Sequence, residues 1–391
     1  MSQKPFSLSP DLKRLRDEGY FVQIRGGFLV MRDVPYVDAQ KQVRVGTLIS
    51  SLNMAGDVTQ TPDTHVMHFD GDYPCGHNGA PIQQISHQSG PMVLGNGVTA
   101  QHSFSSKPEG GYKDYYQKMT TYAAILSGPA AVLKPDANAR TFRVPDEEDD
   151  SIFNYTETAS DRVGIGALTE RLTAEKVGII GLGGTGSYVL DFVAKTPVRE
   201  IRLFDDDEFL QHNAFRSPGA ASIEELRDAP KKVDYLKSIY TKMHRGIATH
   251  PVALDAGHLH LLEGLTFAFL CIDAGDAKRG IIEKLEALKI SFVDVGMGLE
   301  LVDGSLGGIL RVTASTPAKR DHVHAGRIPF EGGGKDDVYA SNIQVADLNC
   351  LNAVLAVIKW KKIKGFYRDL DQEHHCTYTT DGNMLLNGDL T

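Results

Sequence analysis

The chain is poor in cysteine: four in 391 residues, with no C-x-x-C pair that could form half of a structural zinc site. Cys271 and Cys350 lie in apolar runs and read as small buried hydrophobes, while Cys75 and Cys376 stand alone elsewhere. There is no apolar run near the roughly 20 residues that a membrane-crossing helix requires. The opening Met1-Ser-Gln-Lys-Pro5 has no apolar leader core, so a cytoplasmic location without a membrane partner is expected. Basic blocks are also missing. A formal net charge of −9 disfavours nucleic acid, whose phosphates call for clustered Lys and Arg, and leaves a nucleotide or a protein as the better-fitting partner.

The chain does hold a glycine turn. In Lys176-Val-Gly-Ile-Ile-Gly-Leu-Gly-Gly-Thr-Gly-Ser187 an apolar strand-like run enters a cluster in which Gly181, Gly183 and Gly186 have the G-x-G-x-x-G spacing, with Gly184 between them. Such a turn lets bare backbone approach phosphate and aims N–H groups at it from a helix N-terminus. A lone match says only that a nucleotide binds.

Strands and helices alternate from there on. Glu200-Ile-Arg-Leu-Phe-Asp205 predicts a second strand ending in the acidic cluster Asp205, Asp206 and Asp207. Asp205 is placed about 20 residues after the glycines, where a carboxylate can accept both ribose hydroxyls. A helix is expected over Lys231 to Met243, a third strand around Thr249 to Leu254, and a fourth, buried strand over Thr266 to Asp273. The pattern predicts an α/β doubly wound, mostly parallel sheet of Rossmann-like type.

Residues 1–150 read as a smaller α+β domain, with a polar helix near Asp11–Glu18, β-branched runs after it, and a helix from Lys113 to Leu126 that Gly128-Pro129 should stop. His65, His68, Cys75 and His77 crowd one segment, with a spacing that matches no common zinc template. The acidic stretch Val144 to Ser151 reads as a solvated linker and places the boundary between domains 1–150 and 151–391. An amphipathic helix is expected near Arg162–Leu172.

Polar residues after the second strand separate phosphate chemistry from hydride transfer. The chain carries Asn213-Ala-Phe-Arg216, then Pro230-Lys231-Lys232, then Asp273-Ala-Gly-Asp276. A nicotinamide enzyme leaves phosphates untouched and does not need this set, although an NAD-dependent oxidoreductase remains the alternative from another class. An anion attacking a nucleotide's α-phosphate does need it. Arg216 can fork onto phosphate oxygens, Lys231 can supply a point charge, and Asp276 can hold a magnesium ion; Lys232 reads as solvated.

Through Gly181–Gly186, Phe204-Asp205, Asn213–Arg216, Pro230-Lys231 and Asp273–Asp276, residues 160–380 resemble the ThiF/MoeB adenylyltransferases, the family of ubiquitin-activating enzymes. The resemblance implies ATP and Mg²⁺ as cofactors, with Asp205 on the ribose and Asp207 of the same cluster among the nucleotide-binding residues. It further implies that Asn213, Arg216 and Lys231 hold the triphosphate and that Asp276 holds the metal. An arginine that reaches into the partner subunit's site is expected in a homodimer; Arg162 is the candidate and Arg171 the second choice. The implied activity is adenylation of the C-terminal carboxylate of a ubiquitin-like protein, with transfer to a conjugating-enzyme-like protein. Sulfur transfer or dehydration on a small molecule or tRNA is the alternative within the family.

Two family features are missing, the paired C-x-x-C motifs and a cysteine between Val295 and Asn349. Without them the acyl group either stays an adenylate until a partner takes it or passes to Thr313, Ser315, Thr316, Cys75 or Cys376; Thr313 and Ser315 read first as alternating strand residues, with His322 and His324 near them in sequence. The first domain and Ala346-Asp-Leu-Asn349 resemble bacterial ThiF-domain proteins encoded beside ubiquitin-like proteins in operons linked to defence. That likeness implies that residues 1–150 recruit a protein partner.

Overall fold

A computed structural model describes residues 3–143, 151–155, 165–273, 275–330 and 343–390. Contacts divide the chain into two compact units, Met1–Glu170 and Arg171–Thr391. The acidic linker and Arg162 lie outside the described residues.

In the first unit, helices α1 (Gln3–Leu8) and α2 (Pro10–Asp17) precede an antiparallel sheet. Its strands are β1 (Val22–Arg25), β2 (Phe28–Val37), β3 (Val43–Ser51), β6 (Val66–Asp70), β7 (Ser86–Gly95) and β8 (Val98–Ser105), with a small β4–β5 hairpin (Met54–Ala55, Val58–Thr59) outside it. The sheet order is β1-β2-β3-β6-β8-β7, which leaves β7 at an edge. Helix α3 (Tyr115–Leu133) covers one face, burying Tyr115, Met119, Tyr122 and Leu126 at spacings of three and four beside Phe69 and Phe104. Gly128-Pro129 does not stop this helix, contrary to expectation. Pro129 lies inside it. A proline costs a helix interior about 3 kcal/mol, and the buried face, which continues to Ala130, offsets that.

The second unit is the expected α/β layer structure. A short helix, Gly166–Thr169, at the end of the first unit and a 3₁₀ turn, Glu170–Leu172, at the boundary are all that the described residues show of the helix expected near 162–172, and the second unit then enters β9 (Lys176–Ile180). There follow α4 (Gly184–Val193), β10 (Glu200–Phe204), α5 (Lys232–Tyr240), β11 (Ile247–His250), β12 (Phe267–Leu270) and α6 (Asp276–Ala287). Then come β13 (Ser291–Val302), β14 (Ser305–Ser315), α7 (Ala346–Ile363), β15 (His375–Thr379) and β16 (Met384–Gly388). The order β11-β10-β9-β12-β13 is parallel throughout, and β14, β15 and β16 extend it antiparallel. Apolar clusters fill both faces: one includes Leu190, Phe269 and Trp360, the other Phe204, Leu270 and Ile282.

One buried histidine makes this unit acid-sensitive. His244 is fully buried, its Nε2 2.9 Å from the Val198 carbonyl and its Nδ1 accepting the Gly246 N–H at 3.1 Å. Those partners define a neutral ring, and burial brings its pKa down to about 4. An exposed histidine in the unfolded chain binds its proton near pH 6.5, so the unfolded state gains protons first as pH falls. Stability is therefore complete above that pH and is lost progressively towards pH 4. The melting temperature of the second unit is expected to fall between pH 7 and 5, and to fall less in His244→Gln.

Candidate nucleotide site

The site forms where β9, β10 and β12 end. Gly181 has φ +85°, and a Cβ there would sit 2.5 Å from the Cys271 carbonyl. A Cβ on Gly186 would sit 1.9 Å from the Gly181 carbonyl, so the turn closes only with glycine at both positions. Gly183 is the N-cap of α4 and faces open space. Gly184 serves packing, because a Cβ there would strike the Asn349 side chain of α7 at 2.2 Å. Thr185 Oγ1 completes that contact by donating to Asn349 Oδ1 at 2.9 Å. The first turn of α4 has N–H groups with no partner inside the helix, together with the positive end of its dipole. Gly186→Ala should abolish nucleotide binding, measured by calorimetry.

Asp205 fixes this turn from the end of β10. Its Oδ2 accepts the Leu182 N–H at 2.6 Å and its Oδ1 accepts the Asp207 N–H at 3.0 Å. Asp205, Asp206 and Asp207 are the one group of three or more among the described residues whose His, Cys or carboxylate ligand atoms come close enough to share an ion. A lysine is already there. Lys232 Nζ lies 2.6 Å from Asp207 and 3.5 Å from Asp205, with only 6% of the residue exposed, so the expectation that Lys232 is solvated is corrected. Its ammonium is the main cause of the lowered pKa of Asp207. Lys231 instead turns its Nζ to the Asp206 carbonyl, at 2.8 Å, on the exposed side. The difference lies in the helix: Lys232, Leu236 and Tyr240 share one stripe of α5 at a spacing of four, the buried one.

Asn213 and Arg216 stand on the loop between β10 and α5. Asn213 is buried, and its Oδ1 accepts the Leu210 N–H at 2.9 Å, closing the short helix Gln211–Ala214. Its Nδ2 is buried without a partner among the described residues, as is Nε of Arg216. Burial lowers the Arg216 pKa, and the carboxylate that works against this is Asp273, an exposed residue just beyond β12. Asp276 begins α6, exposed. Buried donors without acceptors are costly. An anionic ligand that accepts from Asn213, Arg216 and the α4 turn satisfies them, so the residues present fit a nucleotide triphosphate.

A ThiF family model matches residues 158–327. The chain carries a ThiF domain. Residues 10–158 match a second model, described as a domain of unknown function, DUF6791. Over 159 residues the chain is 23% identical to ubiquitin-like modifier-activating enzyme 5 of Culex quinquefasciatus and 22% identical to that of Aedes aegypti, each time over 38% of this chain. It spans about two-fifths (40%) of the length of these relatives. Among solved structures it is similar to PaaA, at 18% identity and a TM-score of 0.45, covering 59% of this chain and 78% of that one. It is similar also to MccB of E. coli with ATP, at 16% and 0.43, covering 60% and 68%.

The ThiF domain has no activated thiol among its described residues. Cys271 is partly buried beside the glycine turn, and burial pushes its pKa up, as it does those of Cys350 and Cys376, and of Cys75 in the first unit. Thiolates are the nucleophilic form. Thr313 and Ser315 are strand residues of β14, both fully buried. Thr313 Oγ1 accepts from Arg311 at 2.9 Å and lies 3.0 Å from His375 Nδ1. The histidines nearer in sequence have other partners: His322 the Ala314 carbonyl and His324 the Glu286 carboxylate. Thr316 lies 3.4 Å from His374 Nε2. Arg171 donates to the Gly365 carbonyl. In the first unit His68 sits on β6, and His65, His68, Cys75 and His77 do not converge on a common point.

Proposed function

We propose that the ThiF domain binds ATP and adenylates the C-terminal carboxylate of a small ubiquitin-like protein, releasing pyrophosphate. The observation that carries this reading is the pair of buried donors without a partner among the described residues, Asn213 Nδ2 and Arg216 Nε, on the loop that follows β10. The names of the two mosquito relatives support the ubiquitin-like substrate. A carboxylate approaching a triphosphate about 4 Å away is repelled by about 1 kcal/mol in water and about 4 kcal/mol at an effective dielectric of 20. Arg216 and the N-terminus of α4 oppose that repulsion, and Lys232 adds a charge once its contact with Asp207 opens. Asp205 keeps the turn in shape for the ribose. Asp276, with Asp273 facing Arg216, would hold Mg²⁺, whose charge helps the leaving pyrophosphate.

With the Cys271 thiol held protonated by burial and Thr313 engaged, the acyl group passes from the adenylate directly to a nucleophile of a conjugating-enzyme-like partner, and AMP leaves. The arrangement proposed is a cytoplasmic homodimer in which Arg162 reaches the neighbouring site, in a bacterial defence or stress pathway. Residues 1–150 form the recruiting domain and 151–391 the adenylating one. Calorimetry with Mg-ATP and with NADH tests the nucleotide assignment. ATP binding that weakens in Arg216→Ala is expected; NADH binding in its place would overturn the proposal.

A further inference from the structure

The first unit holds a cleft that the nucleotide chemistry does not use. Its volume is ≈ 540 Å³, and it is walled by Tyr36, Asp70, Asp72, Tyr73, Gln101 and His102. A second hollow of ≈ 320 Å³, reaching Asp38 and Cys75, shares Asp72 and Tyr73 with it. Among the described residues, no lysine or arginine lines either hollow. Arg44 is engaged with Asp38 at 2.9 Å and acts on Asp72 only at longer range. His102 has Nδ1 2.9 Å from Ser89 Oγ, and burial lowers its pKa, so it adds no positive charge at neutral pH. Asp70 and Asp72 have no ion-pair partner among the described residues.

The walls are aromatic as well as acidic. The Tyr73 ring meets His102 edge-on at 5.1 Å, and the Tyr36 ring meets Phe69 at 5.2 Å. Tyr36 is 3% exposed; its hydroxyl accepts the Asp72 N–H at 2.9 Å, while its own proton has no acceptor among the described residues. Gly71, with φ +153°, lets the chain pass beneath that hydroxyl, where a Cβ would come within 3.2 Å of it. A ligand here meets two free carboxylates, ring faces and one unspent donor. The carboxylates and rings favour a cation, and the donor needs an acceptor beside it.

A peptide residue with a basic side chain offers both. The neighbouring sheet edge is closed to the alternative of an added strand: β7 loses register with β8 between Ser89 and Met92, and Gly90-Pro91 removes a donor from that edge. We propose that the cleft takes a lysine or arginine side chain from a segment of a protein partner, its cation between Asp70 and Asp72 and its backbone carbonyl on the Tyr36 hydroxyl. This site is independent of the proposed adenylation.

Saturation-transfer NMR on the full chain tests it, with three probes: acetyl-Gly-Arg-Gly-amide, acetyl-Gly-Glu-Gly-amide and spermidine. The expected result is transfer to the arginine side-chain protons, none to the glutamate peptide, and loss of the arginine signal in Asp72→Asn and in Asp70→Asn. Tyr36→Phe should weaken the arginine peptide and leave spermidine unchanged. Circular dichroism checks that each variant is folded, and the exposed position of Asp72 makes its variant the safest of the set. An arginine signal that persists in folded Asp72→Asn, or equal transfer to the glutamate peptide, would overturn the proposal. Tighter binding of spermidine than of the arginine peptide would overturn the protein-partner part.

Discussion

Lys232→Ala is expected to lower ATP–pyrophosphate exchange about 10²–10³-fold, the cost of removing one stabilising charge from a transition state, while Lys231→Ala stays within a few-fold of the parent. The contrast follows from position. Lys232 is buried on the inward stripe of α5 and already sits against Asp205 and Asp207, where the turn and β10 meet. Lys231 points to the Asp206 carbonyl on the exposed side. Because Lys232 also ties down Asp207, its removal carries a structural component, which Asp207→Asn isolates: that variant keeps the ammonium, frees it, and should retain exchange. Equal losses in both lysine variants would mean that the cation is supplied by either residue and that burial does not decide the role.

The largest loss of stability is expected from Asp294→Ala, at about 3–5 kcal/mol, the cost of breaking a buried ion pair from one side. Asp294 is fully buried on β13 and holds two cations: Lys278 of α6 at 2.7 Å and Arg311 of β14 at 2.6 Å. Removing it leaves the buried Lys278 and the partly buried Arg311 with no counterion among the described residues. For a unit of this size the melting temperature should drop by roughly 6–20 °C. A drop of only a degree or two would show that water reaches Lys278 and Arg311. Arg311 also explains Gly296, where a Cβ would meet the guanidinium at 2.6 Å.

These two cases mark how much the chain reveals before it is folded. The glycine turn, Asp205 and the alternation of strands are local signals, set by fixed spacings along the chain, and they stand in the structure where the spacings place them. The reason for Gly184 is not local: Asn349, which excludes a side chain there, lies in the last long helix. The triad of Lys278, Asp294 and Arg311 likewise joins three elements that only the sheet brings together. Lys232 was legible but easily misread, since a Lys-Lys pair offers two equivalent charges until the 232, 236, 240 stripe is counted. Pro129 is the opposite case, a strong local stop signal overridden by packing against Phe69 and Phe104. In the first unit the order β1-β2-β3-β6-β8-β7 depends on distant pairings, and the cleft at Tyr36 and Asp72 arises from that order.

The proposed reaction joins an acyl group to AMP at this site. The direct measurement is the return of labelled pyrophosphate into ATP, with Mg²⁺ and each small protein encoded beside this one. Exchange that depends on one such protein having a free C-terminal carboxylate, and that is lost in Arg216→Ala, is the predicted result. No exchange with any of them would contradict the account.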